Sequence, residues 1–146
     1  MFSAPRWLTR LLDGKAEENV PASRRTGLAG ERATETFLRR ERGMRVLARN
    51  WRSGRDEIDL ICQAGAVLVF VEVKTRAAGG LVPGYYSVDQ RKKQALLRAC
   101  RAYLKQLKPR PVTWRFDIVV VNRHPGGGEN IEHFENVPLF PKRFLS

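Results

Sequence analysis

Apolar and polar positions change period several times along the chain, and the changes mark its elements. Over residues 27–42, Leu28, Ala33, Phe37 and Leu38 recur at helical spacing among arginines, predicting a helix that Gly43 stops. Residues 44–49 read as a strand and 50–55 as a basic turn. Two apolar runs, 57–61 and 67–74, flank the small residues Ala64 and Gly65, which predicts an antiparallel hairpin. Residues 77–86, rich in glycine, read as a long loop. A second helix, capped by Ser87 or Asp89, runs to about Leu107, where Pro109 and Pro111 end it. Its buried stripe is Leu96, Ala99, Cys100, Tyr103 and Leu107. Residues 112–122 predict another strand, 125–129 a glycine-rich turn, and 131–137 an edge strand. The order helix, three strands, helix, two strands predicts an α/β fold: a mixed sheet covered by helices.

The hairpin breaks its own pattern, because acids stand where a core strand should be hydrocarbon. Buried charge is costly unless it is paired or holds a metal, so Asp59, Glu72 and Lys74 are the first candidates for chemistry. Glu72 and Lys74 share a face by the period of two. A two-residue loop at Ala64-Gly65 sets Asp59 opposite Phe70 and diagonal to Glu72, and a four-residue loop sets it opposite Glu72. Both put the two carboxylates on one face, with Cβ atoms roughly 4.5 to 8 Å apart. That spacing lets them share one small divalent cation, with Lys74 one pleat beyond. Lys92, in the first turn of the second helix, projects to the core side at 100° per residue, toward the acidic cluster.

Charge widens the picture. In 146 residues there are 27 Lys and Arg against 15 Asp and Glu, a net charge of +12, with a pI near 10.7. A polyanion is the economical partner and nucleic acid the commonest one; the competing reading is a basic but merely solvated surface. No apolar run reaches the roughly 20 residues of a membrane span, and the N-terminus lacks a signal-peptide core, so cytoplasmic residence is expected. The length suits one domain: residues 1–25 as a flexible basic N-terminal arm and 26–146 as a single domain. Cys62 and Cys100 read as buried small hydrophobes, and His124 and His133 as isolated surface histidines.

The spacing from Asp59 to Glu72-Val73-Lys74 resembles the D-x(n)-E-x-K signature of PD-(D/E)xK nucleases. Gly30-Glu31-Arg32-Ala33, Ala48-Arg49-Asn50-Trp51-Arg52, Glu57-Ile58-Asp59-Leu60-Ile61, and Phe70 through Arg76 sharpen it. Together with Val88 and Arg91-Lys92, these words resemble the YraN-like family of endonucleases, related to archaeal Holliday junction resolvases. The resemblance implies a restriction-endonuclease-like αβββαβ core with Glu31, Asp59, Glu72 and Lys74 as the active-site set, and Lys92 as a weaker match. It further implies Mg²⁺ or Mn²⁺ held by Asp59, Glu72 and the Val73 carbonyl, for phosphodiester hydrolysis in DNA, including branched DNA, with DNA favoured over RNA and an RNA-directed nuclease or RNA binder left open as a third reading that differs only in substrate. Arg52, Arg55, Arg76 and Lys92 would then contact phosphates, and a homodimer would suit a two-fold branched substrate. One departure is Asp56, where the family usually has Gly; it brings an extra negative charge near the metal site. Competing readings stand beside each assignment. Glu72 and Lys74 form a solvated ion pair, Glu31 is a dipole-favoured helix acid, Arg52, Arg55 and Arg76 are surface charge, and Trp51, Tyr85 and Tyr86 either stack on bases or pack. At the level of function, the alternative is a non-catalytic nucleic-acid-binding accessory protein with the same fold.

Overall fold

The computed structural model of the protein describes residues 22–77 and 90–140. In chain order these form helix α1 (Ala22–Arg42), strands β1 (Arg45–Ser53), β2 (Asp56–Ala64) and β3 (Val67–Ala77), helix α2 (Gln90–Gln106), and strands β4 (Thr113–Arg123) and β5 (Glu129–Phe134). The five strands make one sheet in the order β1-β2-β3-β4-β5. Only the β3–β4 contact is parallel, with α2 as its crossover; the other three are antiparallel. This is a mixed α/β sheet with a helix on each face, consistent with an αβββαβ core extended by β5.

The sheet divides the core in two. Leu60, Cys62, Val69, Val71 and Val119 face α1, where Leu38 and Met44 close over them. Ile61, Leu68, Phe70, Phe116, Ile118 and Val120 face α2 and meet Leu96, Ala99, Cys100, Tyr103 and Leu104. With both faces covered, β3 and β4 become near-continuous apolar runs, which is why their few polar residues stand out in the sequence. Both cysteines are buried free thiols, and burial pushes Cys62 up to about 12 and Cys100 higher still.

Several boundaries differ from the sequence reading, each for a local reason. Helix α1 begins at Ala22, so residues 22–25 of the expected arm are helical; residues 1–21 lie outside the described residues. Its buried face is Gly30, Thr34 and Leu38 rather than the Leu28-Ala33-Phe37-Leu38 stripe, because the closest approach to the sheet is made with small residues. Strand β1 continues through Asn50, Trp51 and Arg52, leaving only Gly54-Arg55 as the turn. The proposed loop over 77–86, Tyr85, Tyr86 and the caps Ser87 and Asp89 fall outside the described residues, apart from Ala77, which ends β3. On α2, Leu104 is buried where Leu107 was expected, and Leu107 is half-buried just beyond the helix. Strand β5 starts two residues earlier than read, at Glu129.

His133 is the clearest correction, since its side chain is only 1% exposed. It lies on β5 with Nε2 2.8 Å from Asp117 Oδ2, while Arg42 Nε donates to Nδ1 at 3.3 Å and the ring meets Phe37 edge-on. Asp117, fully buried, also accepts from the Asn136 N–H and the Arg115 guanidinium. This polar clamp ties β4, β5 and the end of α1 together. His124 is exposed, as read.

Candidate active site

The hairpin sets the geometry. Its loop is two residues long, as expected, but falls on Gly65-Ala66, and Gly65 takes φ +60, the left-handed value of the first loop residue in a type II′ turn. Moving the turn by one residue moves the partner sum by two. Ala64 pairs with Val67 and Leu60 with Val71, so the next step would set Asp59 opposite Glu72. The main-chain ladder stops at Leu60–Val71. Beyond it the Val73 N–H donates to Asp59 Oδ2 at 2.8 Å, which fixes the carboxylate against β3. Ile58 and Ile61 both pack beneath α2, so β2 departs from strict alternation around Asp59.

Glu72 is buried, with 4% exposure. Its Oε1 takes two ammonium groups, Lys92 Nζ at 3.3 Å and Lys74 Nζ at 3.8 Å. Its Oε2 is buried with no hydrogen-bond partner among the described residues. Lys92 enters from the first turn of α2, and the acids Glu72, Asp59 and Glu57 raise its pKa against the lowering effect of burial. Asp59 is driven well above the ordinary carboxylate range, first by burial and then by Glu72, with Glu31 adding to it. Glu31, half-buried on α1, is raised by burial and by Glu57 and Glu72, while a hydrogen bond from the Asn50 side chain pulls it down.

Glu31 reaches this cluster because of Gly30. A Cβ at Gly30 would stand 1.9 Å from Thr75 Oγ1, so only glycine lets α1 lie this close to β3 beside Lys74. Asn50 adopts φ +47, a left-handed value that asparagine tolerates, next to the cleft bounded by Glu31. That cleft, about 440 Å³, is lined by Arg24, Gly27, Leu28, Glu31, Asn50, Arg52 and Glu57. Asn50 escaped the sequence reading because it lay in an assumed basic turn. Its signal was an Asn interrupting a strand-like stretch, the residue type that best accepts positive φ.

The remaining candidates divide. Arg52 pairs with Glu57 at 2.8 Å and edges the cleft. Arg55 is exposed in the β1–β2 turn. Arg76 points away from the acids, donating to Asn122 Oδ1 at 2.6 Å and lying 3.8 Å from Glu132. Trp51 packs edge-on against Tyr103 beneath α2 and is a core residue. Asp56, the extra acid at the hairpin entrance, is taken by the Arg98 fork at 2.9 and 3.0 Å, and that pairing holds its carboxyl below the usual range. It therefore brings the cluster little free charge.

Among the described residues no three Asp, Glu, His or Cys side chains form a ready metal cage. The oxygens that could hold a cation are instead those of Asp59, Glu72 and the Val73 carbonyl. One observation would suit a divalent cation there: among the described residues Glu72 Oε2 is a buried oxygen without a hydrogen-bond partner, beside the part-buried Asp59, whose ionised form burial and Glu72 disfavour more than the Val73 N–H and Lys92 favour it. Two carboxylates, which would leave coordination positions for water, would suit Mg²⁺ better than a closed cage does.

Relatives agree with the words that resemble the YraN-like family. The model of "Uncharacterised protein family UPF0102" matches residues 30–121, the segment from Gly30 through Lys92 to the end of the β4 core. A UPF0102 protein of Nitratidesulfovibrio vulgaris strain DP4 is 42% identical over 114 residues, covering 78% of this chain and 84% of its own. One from Symbiobacterium thermophilum is 46% identical over 105 residues, covering 72% and 88%. Among solved structures, Pyrococcus furiosus SfsA in complex with Ca²⁺ is similar over 77% of this chain and 63% of its own, at 22% identity and a TM-score of 0.40, a likeness too distant to bear on function. The chain belongs to the uncharacterised protein family UPF0102, the YraN-like family whose sequence words it carries.

Proposed function

We propose that the protein is a metal-dependent nuclease that hydrolyses phosphodiester bonds in DNA, with branched or otherwise structured DNA as the favoured substrate. The observation that carries this reading is Glu72: a buried carboxylate with one oxygen between two lysines and the other without a hydrogen-bond partner among the described residues, beside Asp59, in a chain of net charge +12. Asp59, Glu72 and the Val73 carbonyl would hold Mg²⁺ or Mn²⁺. When bound, the ion would polarise a phosphoryl oxygen and lower the pKa of a coordinated water. The chain's own residues do the rest. The Val73 N–H keeps Asp59 in one orientation. Lys74 and Lys92, both partly exposed, can turn from Glu72 toward a phosphate and neutralise charge that develops on it. Glu31 can orient a water from the α1 side.

One observation favours the rival, a binding module that cuts nothing. The two lysines already compensate Glu72 Oε1, so the protein can hold this carboxylate without a metal. The readings separate on incubation with junction, flap, single-strand and duplex DNA, and matched RNA, in Mg²⁺ or Mn²⁺. The nuclease reading expects cleavage that Asp59→Ala abolishes. Absence of cleavage in every substrate, or undiminished cleavage by Asp59→Ala, rejects it.

A further inference from the structure

The outer face of α1 carries charge that the proposed site does not use. Arg25, Arg32 and Arg39 recur every seven residues, two helical turns, and at 100° per residue lie within about 40° of one another. They stand opposite the buried Gly30-Thr34-Leu38 face, and all three are exposed. Arg25 and Arg32 make no hydrogen bond or ion pair among the described residues, and Arg39 reaches only Glu35 at 4.0 Å, itself already gripped by Arg49. Most acids of the described surface near arginines are taken in the same way: Asp56 by Arg98, Glu57 by Arg52, Glu132 by Arg76. The three arginines thus form a row about 21 Å long whose charge, among the described residues, is met only by the 4.0 Å contact of Arg39 with Glu35. The row starts beside the 440 Å³ cleft, whose wall includes Arg24, Arg52 and Glu31, and Glu31 borders the Asp59–Glu72 cluster.

The geometry points to α1 as a rail for a double-helical nucleic-acid arm that leaves the acidic site through this cleft. The inference deepens the nuclease reading by naming what flanks the cut, and it rests on that reading only for the position of the cut. A duplex carries about one negative charge per 1.7 Å of axis, so a 21 Å row spans about six base pairs. Arginine forks suit phosphate oxygens, and such contacts set position without reading sequence. A membrane surface would match the charge, but the helix offers it no apolar face, since its apolar side is spent on the sheet.

The test is the salt dependence of duplex binding without metal. Arg25→Gln/Arg32→Gln/Arg39→Gln is compared with Lys105→Gln/Lys108→Gln/Arg110→Gln, a charge-matched control on exposed residues at the far end of α2 and beyond. The rail variant should lower the slope of log K against log salt by about 2.7, the control by less than one. In cleavage, wild type should prefer a 12-base-pair arm to a 4-base-pair arm, and the rail variant should lose that preference while still cutting. Equal slope changes in the two variants overturn the rail, and cleavage retained in that case leaves the nuclease reading standing. A slope change with no cleavage of any substrate upholds the rail and rejects the nuclease reading instead.

Discussion

At the scale of single residues, Asp59 and Gly30 shape the candidate site, one through charge and the other through the lack of a side chain. Burial and the neighbouring Glu72 lift the Asp59 pKa above its ordinary 3.8. The stability of the protonated form is therefore fully present below 3.8 and is lost as pH rises through the raised folded value. Asp59→Asn keeps an acceptor for the Val73 N–H and removes the charge, so without metal at pH 7 it should melt higher than wild type, by roughly 3 °C for each kcal/mol relieved. The advantage should vanish below 3.8. Saturating Mg²⁺ should reverse it, since only wild type gains binding energy, about 2.7 kcal/mol at one hundred times Kd. Melting curves in EDTA and in Mg²⁺ at pH 7 and pH 3.5 read all of this, and identical midpoints throughout would mean that Asp59 is no strained carboxylate. Gly30→Ala meets Thr75 Oγ1 and crowds Thr75 Cβ, so the Thr75 side chain must turn or α1 must move outward. The expected cost is about 1–3 kcal/mol by urea unfolding, with weaker metal binding as Glu31 withdraws. Thr75→Ala in the same chain should restore part of both, and a Gly30→Ala protein as stable as wild type would show that α1 yields freely.

At the scale of elements, acids inside apolar strands occupy two different kinds of surroundings. Asp59 and Glu72 gather repulsion and an unpartnered oxygen, whereas Asp117, the same anomaly on β4, gathers donors. Burial would raise the Asp117 pKa, but hydrogen bonds from His133, the Asn136 N–H and Arg115 outweigh it and hold the carboxyl below 3.8. Its contribution is therefore present above 3.8 and lost as pH falls through the lowered folded value. Asp117→Ala, which strands His133 and Arg115, should cost about 3–5 kcal/mol in chemical denaturation at pH 7 and much less near pH 2. A pH-independent loss would assign the effect to packing alone. The contrast explains what was legible in the sequence. Element order, mixed sheet and hairpin follow from periods of two and 3.6, and the single face of Asp59 and Glu72 from turn parity, which survived the one-residue shift of the turn. The burial of His133, the left-handed Asn50 and the Gly30–Thr75 contact were not legible, because each depends on which element lies across from it. A histidine beside polar residues looks exposed until α1 is laid over it.

At the scale of the whole molecule, a net charge of +12 surrounds a small acidic centre, and on the proposed reading that centre would oppose the nucleic-acid binding that its surroundings would promote. A phosphate approaching Asp59 and Glu72 without a metal would meet like charge in a poorly screened place, while the flanking arginines would attract the rest of a duplex. Divalent cations therefore have two opposite effects on affinity. As counterions they compete for the backbone and weaken binding; bound at the acids they remove the repulsion and strengthen it. The net sign tells whether the cluster is a site. At constant ionic strength, Ca²⁺, which keeps oxygen ligation with looser geometry than Mg²⁺, should raise wild-type duplex affinity by about fivefold, roughly 1 kcal/mol. Glu72→Gln should bind DNA more tightly than wild type in EDTA, because one repelling charge is gone, and should lose affinity when Ca²⁺ is added. A protein that used its basic surface alone would lose affinity in both forms. Fluorescence anisotropy on one labelled duplex with and without Ca²⁺ measures the difference, and wild type and Glu72→Gln responding with the same sign would leave the acidic cluster without a part in nucleic-acid binding.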